Sequence, residues 1–102
     1  MLSRLDLQSE LEALLGTRNV YFQPPASVRM QYPAIVYQRR NFRVFHANSN
    51  SYITIPGYEI VLIDKNPDSA YIEKLLQLPY CSFDRHYEAD NLNHDVFTLY
   101  HC

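Results

Sequence analysis

"FDRHYEADNLNHDVFTLYHC", from Phe83 to Cys102, alternates by twos on both sides of a stretch rich in Asp and Asn. Phe83, Arg85 and Tyr87 have one parity and Asp84, His86 and Glu88 the other. After ADNLNH, Val96, Thr98 and Tyr100 alternate against Phe97, Leu99 and His101. Successive strand side chains point to opposite faces, and Asx residues favour turns, so the stretch predicts a terminal β-hairpin. A hairpin needs further strands and a cover for its apolar side, and the search for both runs upstream.

"KNPDSAYIEKLLQLP" predicts a helix, with Asn66 or Asp68 as cap, Pro67 in the first turn and Ile72, Leu75 and Leu76 as the apolar stripe, ending at Pro79. Before it, "SYITIPGYEIVLID" is a long strand in which Pro56 and Gly57 predict a bulge or bend. "YPAIVYQRRNF" is another strand, with Ala34 and Val36 on one side and Ile35 and Tyr37 on the other, both sides at least partly covered. Antiparallel pairing of the two makes the intervening "RRNFRVFHANSN" a long hairpin arm or a flexible tip. "NVYFQPP" is a short strand stopped by Pro24 and Pro25, placed at the sheet edge or its start. At the N-terminus, Ser3 and Asp6 form a shorter-armed capping box. Leu7, Leu11, Leu14 and Leu15 follow at helical spacing, and Gly16 suits a left-handed C-cap.

The order α, β, β, β, α, β, β predicts an α+β fold: a mainly antiparallel sheet with two helices on one face, a long hairpin arm and a C-terminal hairpin. With 102 residues and 47% hydrophobic content, the chain (1–102) is read as one domain with one core. A net charge of −2 argues against wrapping nucleic acid on a broad basic face. Charges interrupt the N-terminal apolar residues, so neither a signal peptide nor a membrane span is predicted, and the protein is expected to be made and used from the cytosol. Cys81 and Cys102 have no CxxC spacing and are expected to be reduced, with Cys81 packing into the core.

The last twenty residues hold three histidines and four carboxylates, and a metal reading has to be weighed. Ligands on a strand share a face only when two apart. Asp84 and His86 could therefore converge, while His94 and Asp95 point to opposite faces and His101 lies further along. No HxH, HxxxH or CxxC pair occurs. Cys81 with His86 or His94 is a co-occurrence of residue types, and two glycines cannot build a phosphate loop. No catalytic, cofactor or metal site is expected, and the cluster reads as a solvated or subunit-contacting strand face with an Asx-rich turn. Arg39, Arg40 and Arg43, interleaved with Phe42, Phe45 and His46, suit either a nucleic-acid patch or a protein-contacting arm. The contacting arm is preferred, because a solvated Phe pair would leave an apolar patch unused.

"RNVYFQPP", "YPAIVYQR" and "FDRHYEADNLNHDVF" together resemble the small tail-terminator or tail-completion proteins of long-tailed bacteriophages and prophages. The likeness keeps the same order through most of the chain, is weakest over residues 41–57, and is most specific in the terminal stretch. It implies a structural virion protein with an α+β fold that forms rings, commonly hexamers, on the end of the tail tube. Such a ring stops tube growth and meets the head-side neck proteins. DNA only passes through it, and no cofactor, catalysis or membrane contact is implied. The expected location is the tail–neck junction of the virion, and the host cytoplasm during assembly. A head-closure or connector role in the same neck is the alternative, followed by a small nucleic-acid-associated or metal-dependent enzyme. On their chemistry, Arg39, Arg40, Phe42, Arg43, Phe45, Asp84, Arg85 and His86 are the expected subunit or partner contacts.

Overall fold

Helix α1 (Arg4–Leu15) opens the computed structural model, which describes residues 4–46 and 52–101. Its four-residue spacing turns Leu7, Leu11 and Leu15 to one buried side. The expected Ser3 cap lies outside the described residues. The C-terminal stop is as expected: Gly16 takes φ +78°, and its amide donates to the Glu12 carbonyl at 2.9 Å.

Strands β1 (Val20–Phe22), β2 (Ala34–His46), β3 (Tyr52–Asp64), β4 (Cys81–Ala89) and β5 (Leu92–Tyr100) form one mixed sheet in the order β1-β2-β3-β5-β4. β1 runs parallel to β2, and the other neighbours are antiparallel. The register puts Ile35, Leu62 and Asp95 on one face, followed along the ladder by Tyr37, Ile60 and Phe97, then by Tyr58 and Leu99. On that face the core joins them to Leu7, Leu11 and Leu15 of α1 and to Leu75 of helix α2 (Tyr71–Leu76), so both helices cover the same side. This is the α+β arrangement the pattern implied.

Five local features differ from the sequence reading. α2 is one short turn-and-a-half that begins at Tyr71. Asn66 and Asp68 do not cap it: successive side-chain turns are formed by Asp64, which accepts from the Asn66 amide, and by Asn66, which accepts from the Asp68 amide. The terminal turn is confined to Asp90 and Asn91, both left-handed at φ 53° and 62°, so Leu92, Asn93 and His94 already belong to β5. The alternation of β4 breaks at Asp84, where the register shifts. Phe83 and His86 consequently share the helix-side face, and Arg85 and Tyr87 the other. Both sides of β2 are covered only at its start: Ala34, Ile35 and Tyr37 are buried, whereas every residue from Gln38 onward is exposed.

The irregularity expected at Pro56–Gly57 falls instead on the partner strand, between Arg39 and Asn41, directly opposite Tyr58 and Gly57. β3 itself runs through. Pro56 sits there without cost to the ladder. Its carbonyl accepts from the His101 amide at 3.1 Å, so its missing donor faces the β5 side, where that strand ends, and not β2. Gly57 is required by close approach, since a Cβ would lie 2.2 Å from Asn41 Oδ1 and 2.9 Å from Tyr100 Cε1. Gly57→Ala is therefore expected to lower stability by about 1–3 kcal/mol in urea unfolding. Adding Asn41→Ala, at an exposed position, should return part of that loss.

Candidate functional site

Beyond the Gly57–Tyr100 pair, apart from the His101 amide on the Pro56 carbonyl, β2 and β3 have only each other as strand partners among the described residues: β1 pairs no further than Tyr37, and β5 no further than Gly57. This two-stranded arm pairs Asn41 through His46 with Gly57 through Tyr52. The rest of the arm's expected span, residues 47–51, lies outside the described residues.

Apolar residues occupy both sides of the arm. By register, Phe42 and Val44 lie on one side and Phe45, Ile53 and Ile55 on the other. Phe42, Val44, Phe45 and Ile53 are 45%, 49%, 47% and 59% exposed, although a sheet surface meeting water is ordinarily polar. The arginines lie against these rings: Arg39 is 5.0 Å from the centroid of Phe42, and Arg43 is 5.4 Å from Phe45 and 5.3 Å from Tyr100. Arg40, the bulge residue, pairs instead with Glu59 across the ladder. Arg39 and Arg43 have no carboxylate partner among the described residues. At the foot of the arm Arg43, Phe45, Ile55, Tyr80 and Tyr100 border a shallow recess of about 230 Å³.

Asp84, Arg85 and His86 lie on β4, at the opposite edge of the sheet from β2, with β5 between them and β3. The eight expected contact residues thus form two separate surfaces. Asp84 does not converge with His86, because the bulge turns it to its neighbour Arg85, 2.7 Å away. His86 faces Asp95 directly across the ladder, Nδ1 to Oδ1 2.8 Å, and so supplies the partner that a buried carboxylate requires. His94 goes elsewhere, its ring stacked on Tyr87 with centroids 4.7 Å apart, and His101 is buried 3.8 Å from Glu10. The histidines are dispersed, and among the described residues no group of three or more His, Cys, Asp or Glu is placed to hold a metal ion.

Two other polar groups lie at the core. Tyr37 is fully buried beneath α1, donates its hydroxyl to Gln8 Oε1 at 2.5 Å and accepts from Arg4 at 3.4 Å; burial holds its pKa above the usual value. Cys81 opens β4, packs against the core as expected, and is a free thiol that burial pushes up to about 11. A thiol so protonated is a poor nucleophile.

The sequence reading missed Val44, Ile53 and Tyr80 as surface residues. Tyr80 is 72% exposed because it takes a left-handed conformation at φ 60° just after Pro79, and no neighbouring pattern signals that. Val44 and Ile53 read as ordinary strand residues, and their exposure follows only from where the other strands stop. Among the described residues no helix is long and apolar enough to cross a membrane. No protein-family model matches the chain, and no curated protein is significantly similar to it.

His86→Ala removes the one side-chain partner seen for the buried Asp95 carboxylate and is expected to cost about 1–3 kcal/mol in chemical denaturation. His94→Ala, losing an exposed stack, should cost less than His86→Ala. For Cys81 the folded state holds the proton more tightly than the unfolded chain, so unfolding releases it as pH rises past about 9. The thiol's contribution is constant below that pH and turns against folding between about 9 and 11. Alkylation of Cys81 at pH 8, followed by mass spectrometry of the peptide that contains it, should be much slower in the native protein than after denaturation.

Proposed function

We propose that this protein is a structural subunit of a bacteriophage tail, a ring-forming terminator that closes the tail tube and presents a surface to the head-side neck proteins. The observation that carries the reading is the arm, which bears exposed apolar side chains on both of its faces and has no cover among the described residues. The resemblance of the three quoted stretches supplies the identity of the assembly, and the arm supplies the means. Burying Phe42 and Phe45 against a neighbouring subunit or the tube end contributes roughly 1.5–3 kcal/mol for each fully buried ring. Arg39 and Arg43, with no carboxylate partner among the described residues, then have carboxylates to meet across the seam. Such a protein acts by shape and adhesion, at the tail–neck junction of the virion, in a hexamer through which DNA passes.

Light scattering coupled to size exclusion tests this. The parent is expected to assemble into a ring, or to do so on terminator-free tail tubes, while Phe42→Ser/Arg43→Ser/Phe45→Ser gives a folded monomer with unchanged circular dichroism. Arg40 is left intact because it pairs with Glu59 within the chain. A triple variant that assembles like the parent overturns the role of the arm. A parent that neither self-associates nor binds tubes overturns the terminator reading itself.

A further inference from the structure

The sheet leaves two long edges open. Among the described residues β4 is paired on one side only, and past Tyr37 the outer side of β2 has no strand neighbour. Open edges of this length template the addition of another strand unless they are blocked. Each edge is interrupted by its bulge, at Arg40 and at Asp84, which leaves regular runs from Asn41 to His46 and from Arg85 to Ala89.

The direction of the unpaired backbone groups follows from the ladders. Residues opposite each other in an antiparallel pair either exchange hydrogen bonds or both point away. Pro56 directs its carbonyl to His101, so its partner Phe42 points its amide away from β3, as do Val44 and His46 at steps of two. On the other edge, the two-residue turn at Asp90–Asn91 makes Ala89 and Leu92 the closing bonded pair. Glu88 and His86 therefore point their amides away from β5.

The charges of the two edges are opposite. Arg39 and Arg43 on the β2 edge meet no carboxylate among the described residues, and Glu88 and the adjoining Asp90 meet no cation. We infer that the open β2 edge in the arm of one copy pairs with the open β4 edge of a second copy, continuing one sheet across the subunit boundary. This rests on the ring reading above and names its contact. Because the two edges are different surfaces, the contact is head-to-tail, the kind that repeats from copy to copy and closes into a ring when its rotation permits. A contact between two identical arms would stop at a dimer.

Val44→Pro and Glu88→Pro each delete one outward-facing amide while sparing the bonds inside the sheet. Each variant alone is expected to be a folded monomer by circular dichroism and light scattering, because each has lost one of the two edges. An equal mixture retains one good edge of each kind and should give a dimer and nothing larger. A mixture that stays monomeric, or either variant assembling like the parent, overturns the inference; in the second case the ring reading stands and its contact lies elsewhere. A parent that never self-associates, even on tail tubes, overturns both. Should a proline variant unfold, the exposed charges provide the second measurement. Arg43→Glu and Glu88→Lys should each weaken assembly about tenfold or more, and the chain carrying both should recover most of it. Failure of the double variant to recover overturns the pairing.

Discussion

A helix rises about 1.5 Å per residue and a strand about 3.3 Å, and this difference governs the molecule. The twelve residues of α1 cover about 18 Å, and the six of α2 about half that, whereas β2 and β3, at thirteen residues each, run to about 43 Å. Two such helices cannot cover two such strands. The core is set where cover exists, with Tyr37 at its centre: fully buried beneath α1, bonded to Gln8 and Arg4, and packed with tilted rings against Phe22 and Tyr58 at 5.0 and 5.9 Å. Past Tyr37 along β2 the cover ends and every residue is exposed. The overall dimensions, 52 × 25 × 22 Å, express the same mismatch.

Both bulges fall where the cover changes. Arg40 is inserted opposite Tyr58 and Gly57, the level at which the core gives way to the arm, and it carries its guanidinium to Glu59 on the uncovered face. Asp84 is inserted just beyond the Phe83–Phe97 contact, where β4 leaves the core, and the phase change brings His86 over the buried Asp95. Each added residue re-aims the side chains that follow it. Had β4 kept its strict alternation, Arg85 and not His86 would face Asp95. The bulge thus decides which side chain meets the buried Asp95 carboxylate of the terminal hairpin.

Much of this was legible in the sequence because it is periodic. The leucines of α1, the paired parities of "YPAIVYQ" and the alternating "VFTLY" specify elements and faces without reference to anything distant. What was not legible depends on contacts between segments far apart. The bulge at Arg40 has no local signal, because it answers to Gly57 and Tyr100 across the ladder. The short α2 begins late because the side chains of Asp64, Asn66 and Ser69 satisfy backbone amides in turns that compete with a helical first turn. The candidate surface was legible by composition, arginine interleaved with phenylalanine. Its division into two opposite edges was not, because strand order is a property of the whole sheet.

The separation of core from arm has a consequence for how such a chain folds and works. The apolar core cluster, from Leu7 to Leu99, reaches no further than Tyr58 on β3 and Tyr37 on β2, and beyond it only Pro56 and Gly57, at the foot of the arm, are buried among the described residues of the two strands. The arm adds little of its own to the fold, since an isolated two-stranded ribbon is marginally stable in water. Its sequence is accordingly free of the packing constraints that act on the rest of the sheet. Apolar residues on both of its faces then persist only if something outside the core receives them, because exposed apolar surface otherwise promotes unspecific association. The three arginines limit that association: two lie along the rings and keep them partly covered, and positive charge repels another arm of the same kind. In the proposed edge pairing, an arm that repels another arm and meets the carboxylates of Glu88 and Asp90 would select a partner presented in one orientation, which is the condition for a ring and against an aggregate.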